Sequence, residues 1–173
     1  MSRVLGIDLG SRRIGIAIAD GDGSGARPLV TIRRGRDPEA DAAAIERLAV
    51  EQGADELVVG LPLEAWGAEG PQAELTRAWA TQIAARLGLP VGLRDERLSS
   101  HLAERRLGPM KRGRSGGPPT PAQREVYRSR VDREAAAIIL QDELDARAAA
   151  DTGRSPAREA PSVPPSTAME NSR

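Results

Sequence analysis

The stretch Val4-Leu5-Gly6-Ile7-Asp8-Leu9-Gly10-Ser11-Arg12-Arg13-Ile14-Gly15-Ile16-Ala17-Ile18-Ala19 decides how this chain folds. Val4 to Leu9 is apolar on both faces, as a strand inside a sheet must be, and Ile14 to Ala19 alternates large with small residues at the strand period of two. Gly10 to Arg13 fits a hairpin connection between them. Downstream, Ala26 to Arg33 supplies a third strand, and Asp37 caps a helix that Pro38 opens, Gly53 stops, and Ile45, Leu48 and Ala49 make apolar on one face. A strand over Glu56 to Leu61 precedes a helix opened by Pro71, with Leu75, Trp79, Ile83 and Leu87 spaced by four and Gly88 as its stop. Val91 to Glu96 is a further strand, Ser100 to Leu107 a short helix, and Pro121 to Ala149 a long Ala-rich helix. The order βββαβαβαα predicts an α/β fold in which three antiparallel-type strands followed by βαβα build a mixed sheet with helices on both faces.

The folded unit is expected over residues 1–150, a single domain, with a mobile basic loop at 108–121 that is rich in Gly and Pro. Residues 151–173 hold Pro156, Pro161, Pro164 and Pro165 among Ser, Thr and Ala, with only Val163 and Met169 as sizeable apolar side chains, and are expected to be disordered. No apolar run is long enough to span a bilayer, and Met1-Ser2-Arg3 leads directly into the first strand without a signal-peptide layout, so a cytoplasmic protein is expected. The absence of cysteine excludes disulfides, thiol catalysis and thiolate zinc sites, and the single histidine, His101, excludes a multi-histidine metal site and, standing alone, gives no competing Ser/His/Asp arrangement. Any chemistry must come from carboxylates, hydroxyls and arginines.

Acids stand at three places where apolar residues are expected. Asp8 lies mid-strand, where a lone buried carboxylate costs several kcal/mol unless it is paired or binds a cation. If the small residues of the first two strands share its face, open space lies beside it. Asp95 and Glu96 end an apolar strand, at the carboxyl edge where ligand crevices of α/β sheets form, and the period of two sends them to opposite faces. Asp132 falls on the face of the last helix that also carries Ala136 and Ile139, although a first-turn acid favoured by the helix dipole reads equally well. Converging carboxylates repel unless a divalent cation neutralises them, and hard oxygen donors suit Mg²⁺ or Mn²⁺ and two-ion phosphodiester cleavage.

The 25 basic and 25 acidic residues cancel, yet Arg94 to Arg133 contains eleven basic residues against five acidic ones, a net +6, leaving −6 elsewhere. This bracketed basic stretch suits a nucleic-acid backbone, with Arg97, Lys111, Arg112, Arg114 and Arg130, together with Arg12 and Arg13, as phosphate contacts. Trp66 and Tyr127 are candidate base-stacking residues, whereas Trp79 lies on an apolar helix stripe and reads as core.

Together, Gly6-Ile7-Asp8-Leu9-Gly10 with Arg13-Ile14-Gly15, Val58-Val59-Gly60-Leu61-Pro62-Leu63, Gly67 to Gly70, Asp95-Glu96-Arg97-Leu98-Ser99, and Val131-Asp132 followed by Ala135-Ala136 resemble the YqgF/RuvX family of pre-16S rRNA nucleases, which are also Holliday-junction-resolvase-like. The resemblance covers residues 3–146 and implies a ribonuclease H-like fold and metal-dependent maturation of the 16S rRNA 5′ end. It places catalytic acids on Asp8, Asp95, Glu96 and Asp132, with Asp8, Glu96 and Asp132 as ligands of Mg²⁺ or Mn²⁺. The implied partner is structured RNA (precursor 16S rRNA, the pre-ribosome) or branched DNA, with no membrane, for a monomer or a homodimer. Junction resolvases of this fold place an acid on the fourth strand, where Leu57 to Leu61 offers none, so Glu96 or Asp95 has to stand in. Two other readings remain: a non-catalytic RNA-binding assembly factor, and an actin-like ATPase, whose two domains exceed a folded unit of this size.

Overall fold

The computed structural model describes residues 2–21, 23–113 and 116–153. Its elements follow the order β1 (Val4–Leu9), β2 (Arg13–Ala19), β3 (Ala26–Arg33), α1 (Pro38–Gln52), β4 (Glu56–Leu61), α2 (Pro71–Leu87), β5 (Val91–Asp95), α3 (Ser99–Leu107) and α4 (Pro121–Gly153). They form one five-stranded sheet in the order β3-β2-β1-β4-β5, antiparallel across β1, β2 and β3 and parallel from β1 through β4 to β5. The first and last turns are set by local chemistry. The Asp37 side chain accepts the Ala40 N–H at 2.8 Å, and Gly53 and Gly88 end α1 and α2 in the left-handed conformation at φ 64° and 65°. Thr120 and Gln123 exchange reciprocal bonds at the start of α4, a capping box. Of the tail expected at 151–173, residues 151–153 instead continue α4, which runs to Gly153, and the remainder lies outside the described residues, as does Arg114.

One face of the sheet carries the large side chains Leu5, Ile7, Ile14, Ile16, Ile18, Leu57 and Val59, which pack on Ile45, Trp79 and Ile83 of α1 and α2. Trp79 is therefore core, as its position on the stripe predicts. Leu75 departs from the four-residue spacing and is 65% exposed, because the buried face of α2 runs through Ala73, Thr76, Ala80 and Ile83.

The other face is built from small residues, and the register aligns them: Gly6 lies opposite Ala17, Asp8 opposite Gly15 and Val4 opposite Ala19. The small faces coincide, but the space is not open. Helix α4 fills it, with Ala136, Ala137, Ile139 and Leu140 buried against Val4, Ala17, Ala19 and Val58. A Cβ on Gly6 would stand 2.7 Å from Leu140 Cβ and 2.8 Å from the Ala136 carbonyl oxygen, and one on Gly15 would overlap the Asp132 backbone carbonyl. Glycine is needed at 15 because backbone meets backbone there and neither side can yield. Gly15→Ala is expected to destabilise the fold by about 1–3 kcal/mol through overpacking, read as a lower urea midpoint; an unchanged midpoint would contradict this contact.

Candidate active site

The close seating of α4 on Gly15 has a chemical result. Gly15 is the cross-strand partner of Asp8, so the helix is held with Asp132 beside that carboxylate. Asp132 lies eleven residues into α4, which excludes the first-turn reading of its charge. The turn after Asp8 closes on itself, with Gly10 N–H donating to the Arg13 carbonyl at 2.9 Å. Asp8 is mostly enclosed between the sheet and α4, and burial, followed by repulsion from Asp132, raises its pKa to about 7.

Glu96 enters from the other side. It follows β5, where its N–H donates to the Leu61 carbonyl at 3.2 Å and its own carbonyl accepts from Ser99 N–H at 3.0 Å. The chain turns out of the sheet through Leu98, the one non-glycine residue with a positive φ among the described residues, at 71°. A side chain in that region costs about 1 kcal/mol or more, and here the turn directs Glu96 inward. The Glu96 carboxylate lies over Gly60 of β4: a Cβ on Gly60 would overlap Glu96 Oε2 and stand 2.7 Å from Ile139 Cδ1. The fourth strand carries no acid at this place, but its glycine leaves the room that an acid from the next strand fills. Oε2 of Glu96 is buried without a hydrogen-bond partner, and burial, then repulsion from Asp8 and Asp95, raises the Glu96 pKa to about 8.

Asp95 takes the opposite orientation. Its carboxylate pairs with Arg97 at 2.7 Å and accepts the Arg97 N–H at 2.9 Å, and these bonds hold its pKa below the usual carboxylate range. Glu96, not Asp95, faces Asp8. Arg97 also donates to the Ala65 carbonyl at 3.1 Å, which ties the β4–α2 loop to the end of β5, and Trp66 in that loop is 78% exposed. Tyr127 donates its hydroxyl to the Gly108 carbonyl at 2.9 Å.

Of the expected phosphate contacts, Arg12, Lys111, Arg112 and Arg130 are exposed, and Lys111 and Arg130 flank a groove of about 340 Å³ with Met110, Val126 and Tyr127. Arg13 is engaged otherwise. Its Nε bonds Asp132 at 2.5 Å and its Nη1 reaches Glu125 at 3.2 Å, so this arginine holds Asp132 in place and is only 15% exposed. Glu125 escapes a sequence reading because an exposed helix acid among arginines looks like ordinary surface. A buried node also escaped it: Asp41, fully buried, accepts from Arg34 Nε and Gly35 N–H at 2.6 Å each and from Trp79 Nε1 at 3.4 Å, while Arg34 Nη1 donates to the Gly10 carbonyl at 3.0 Å. Asp41 reads as a helix first-turn acid, the commonest of positions.

Asp8 therefore feels Asp132 on one side and Glu96 on the other, all at the sheet edge where β1, β4 and β5 end. Hard oxygens, a partnerless buried Oε2 and mutually repelling carboxylates make a donor set that fits a divalent cation. Among the described residues, no three acidic or histidine side chains stand close enough together to hold a metal ion as they are placed.

Residues 2–146 match the family described as "RuvX: Holliday junction resolvase". A protein of Anaeromyxobacter dehalogenans named "Putative pre-16S rRNA nuclease" is 49% identical over 146 residues, which are 84% of this chain and 98% of that one. A Chloroflexus aurantiacus protein of the same name is 44% identical over 144 residues, covering 83% and 87%. Among solved structures, RuvC of Thermus thermophilus in complex with a Holliday junction substrate superposes with a TM-score of 0.50 at 16% identity, over 86% of this chain and 97% of that one, and so shares the fold. With a matching family description across most of its length and relatives near half identity, the chain belongs to the RuvX (YqgF) family.

Proposed function

We propose that the protein is a divalent-metal-dependent nuclease that hydrolyses a phosphodiester bond of structured RNA in the cytoplasm, and that its substrate is the 5′ end of precursor 16S rRNA. The observation that carries this reading is the pair of carboxylate neighbours that Asp8 has at the sheet edge, Asp132 and Glu96, with Glu96 Oε2 buried and unpartnered. Relatives at 44–49% identity bear a pre-16S rRNA nuclease name, which supports the choice of RNA. Asp8, Glu96 and Asp132 would hold Mg²⁺ or Mn²⁺, which when bound supplies Lewis-acid stabilisation of charge on the phosphodiester and activation of water.

The chain's own residues do the rest. Arg13 fixes the Asp132 carboxylate through Nε. Gly60 and Gly15 leave the space in which Glu96 and α4 sit against the strands. Arg97, anchored by Asp95 and the Ala65 carbonyl, presents charge at the mouth of the site for a phosphate oxygen. The exposed Lys111, Arg112 and Arg130 continue that charge along the α3–α4 side.

The family description favours a second substrate, the four-way DNA junction. The deciding experiment incubates the protein and its Glu96→Gln variant with precursor 16S rRNA and with a four-way DNA junction, each with Mg²⁺, Mn²⁺ or chelator. Cation-dependent cleavage of the RNA that Glu96→Gln loses is the expected result. Cleavage of the junction alone would move the substrate to DNA, and tight RNA binding without cleavage under any condition would make the protein an assembly factor.

A further inference from the structure

At the same sheet edge, on the β2–β3 side of Asp8, a cavity of about 490 Å³ is lined by Ser11, Arg12, Arg13, Arg33, Arg34 and Gly35, with Glu125 at its border. Four guanidinium groups face one carboxylate. Two of the four are already occupied: Arg13 is bound to Asp132 and Glu125, and Arg34 to Asp41 and the Gly10 carbonyl. Arg12 and Arg33 are exposed and form no ion pair among the described residues. The register sets Arg13 directly opposite Arg33 across the antiparallel pair, an arrangement in which like charges repel. The walls are fixed, since Arg34 N–H donates to the Arg12 carbonyl at 3.0 Å and clamps the end of β3 to the β1–β2 turn. A rigid basic cleft with two unpaired arginines and a cross-strand repulsion is stabilised by an anion with several oxygens, and the planar arginine fork matches phosphate.

We infer that this cleft binds a phosphate of the polynucleotide strand whose neighbouring phosphodiester lies at the carboxylates. The inference rests on the nuclease reading for the identity of the strand. Arg13 belongs to both places, and β3 lies two strand spacings from β1, roughly 10 Å, so the cleft is within reach of an adjoining part of one strand. The path then crosses the sheet edge from β5 toward β3, at right angles to the strands. Arg12 and Arg33 are the contacting groups, and Arg34 is a positioning residue that holds the turn.

The test measures binding without divalent cation, in the Asp8→Asn background, by fluorescence anisotropy across a salt series. The probes are a short single-stranded RNA with a 5′-monophosphate and the same RNA without it. Arg12→Ala/Arg33→Ala is expected to weaken binding about tenfold at low salt and to flatten the plot of log K against log salt by about 1 to 2. Arg36→Ala, an exposed arginine outside the cavity, is expected to leave both quantities near those of the parent. Equal loss on both probes assigns the cleft to an internal phosphodiester, and loss on the phosphorylated probe alone assigns it to a strand end. Unchanged affinity and slope in the double variant, with unchanged thermal stability, would overturn the proposal, as would a polyglutamate peptide bound with the same dependence on Arg12 and Arg33. Failure of the cleft leaves the effect of Glu96→Gln on cleavage intact, and failure of the nuclease reading leaves the salt-dependent binding intact.

Discussion

Asp8→Asn is expected to lower cleavage by about 10²- to 10³-fold and at the same time to make the protein more stable. The first effect follows from removing a charged oxygen donor from a site whose cation contributes several kcal/mol to the transition state. The second follows from the pKa of about 7 that burial and Asp132 impose on Asp8, against 3.8 for the ordinary group. The folded protein holds this proton more tightly than the unfolded chain, so the stability linked to it is complete below about pH 4 and is lost as pH rises through 7. Asparagine keeps the shape without the titration. The variant and the parent are therefore expected to melt together near pH 4, and the variant to be more stable by about 2 to 4 kcal/mol at pH 8, allowing for the part of the side chain open to water. Glu96, raised to about 8 from 4.5, acts in the same direction, so Glu96→Gln shifts the curve likewise. Divalent cation should narrow the difference at pH 8 by binding the charged carboxylates of the parent. Full activity in Asp8→Asn, or identical melting at pH 8, would remove Asp8 from the centre of the site.

The largest loss of stability is expected at a residue with no part in the chemistry. Asp41→Ala deletes a fully buried carboxylate and leaves the Arg34 guanidinium, the Gly35 N–H and the Trp79 indole without their acceptor. Breaking a buried ion pair from one side costs about 3–5 kcal/mol, and the 27% exposure of Arg34 places this case toward the lower end. For a chain of this size that corresponds to a fall in Tm of about 6–12 °C. Asp41→Asn retains part of the bonding and should fall between. Trp79 fluorescence reports the change from inside the core, against a Trp66 signal that is already exposed to solvent. An Asp41→Ala protein within about 1 kcal/mol of the parent would show that the three donors find other partners.

The parts of the fold legible in the sequence are those decided within a few residues. Pro38, Gly53, Pro71 and Gly88 fix helix ends because capping and left-handed turns are local chemistry, and the alternation from Ile14 to Ala19 fixes a strand for the same reason. The three carboxylates were also legible, since a charge inside an apolar stretch is an anomaly that the sequence displays directly. What it does not display is which element arrives from far along the chain. The space beside Asp8 reads as open until α4 is laid into it, and the pairing of Arg13 with Asp132 spans 119 residues. The exposure of Leu75 and the commitment of Arg13 to a carboxylate both come from such distant packing, to which periodicity is blind.

The meeting of Glu96 with Gly60 has a consequence for how kinship in this fold is read. One volume beside Asp8 accepts one acid, and that acid enters from β4 or from β5 but not from both, because an acidic side chain at position 60 would need the place that Glu96 Oε2 occupies. The strand of origin is thus exchangeable while the charge stays where it is. A column-by-column comparison with a protein that carries an acid on β4 would register a missing carboxylate here, although Glu96 brings one to that place from the next segment.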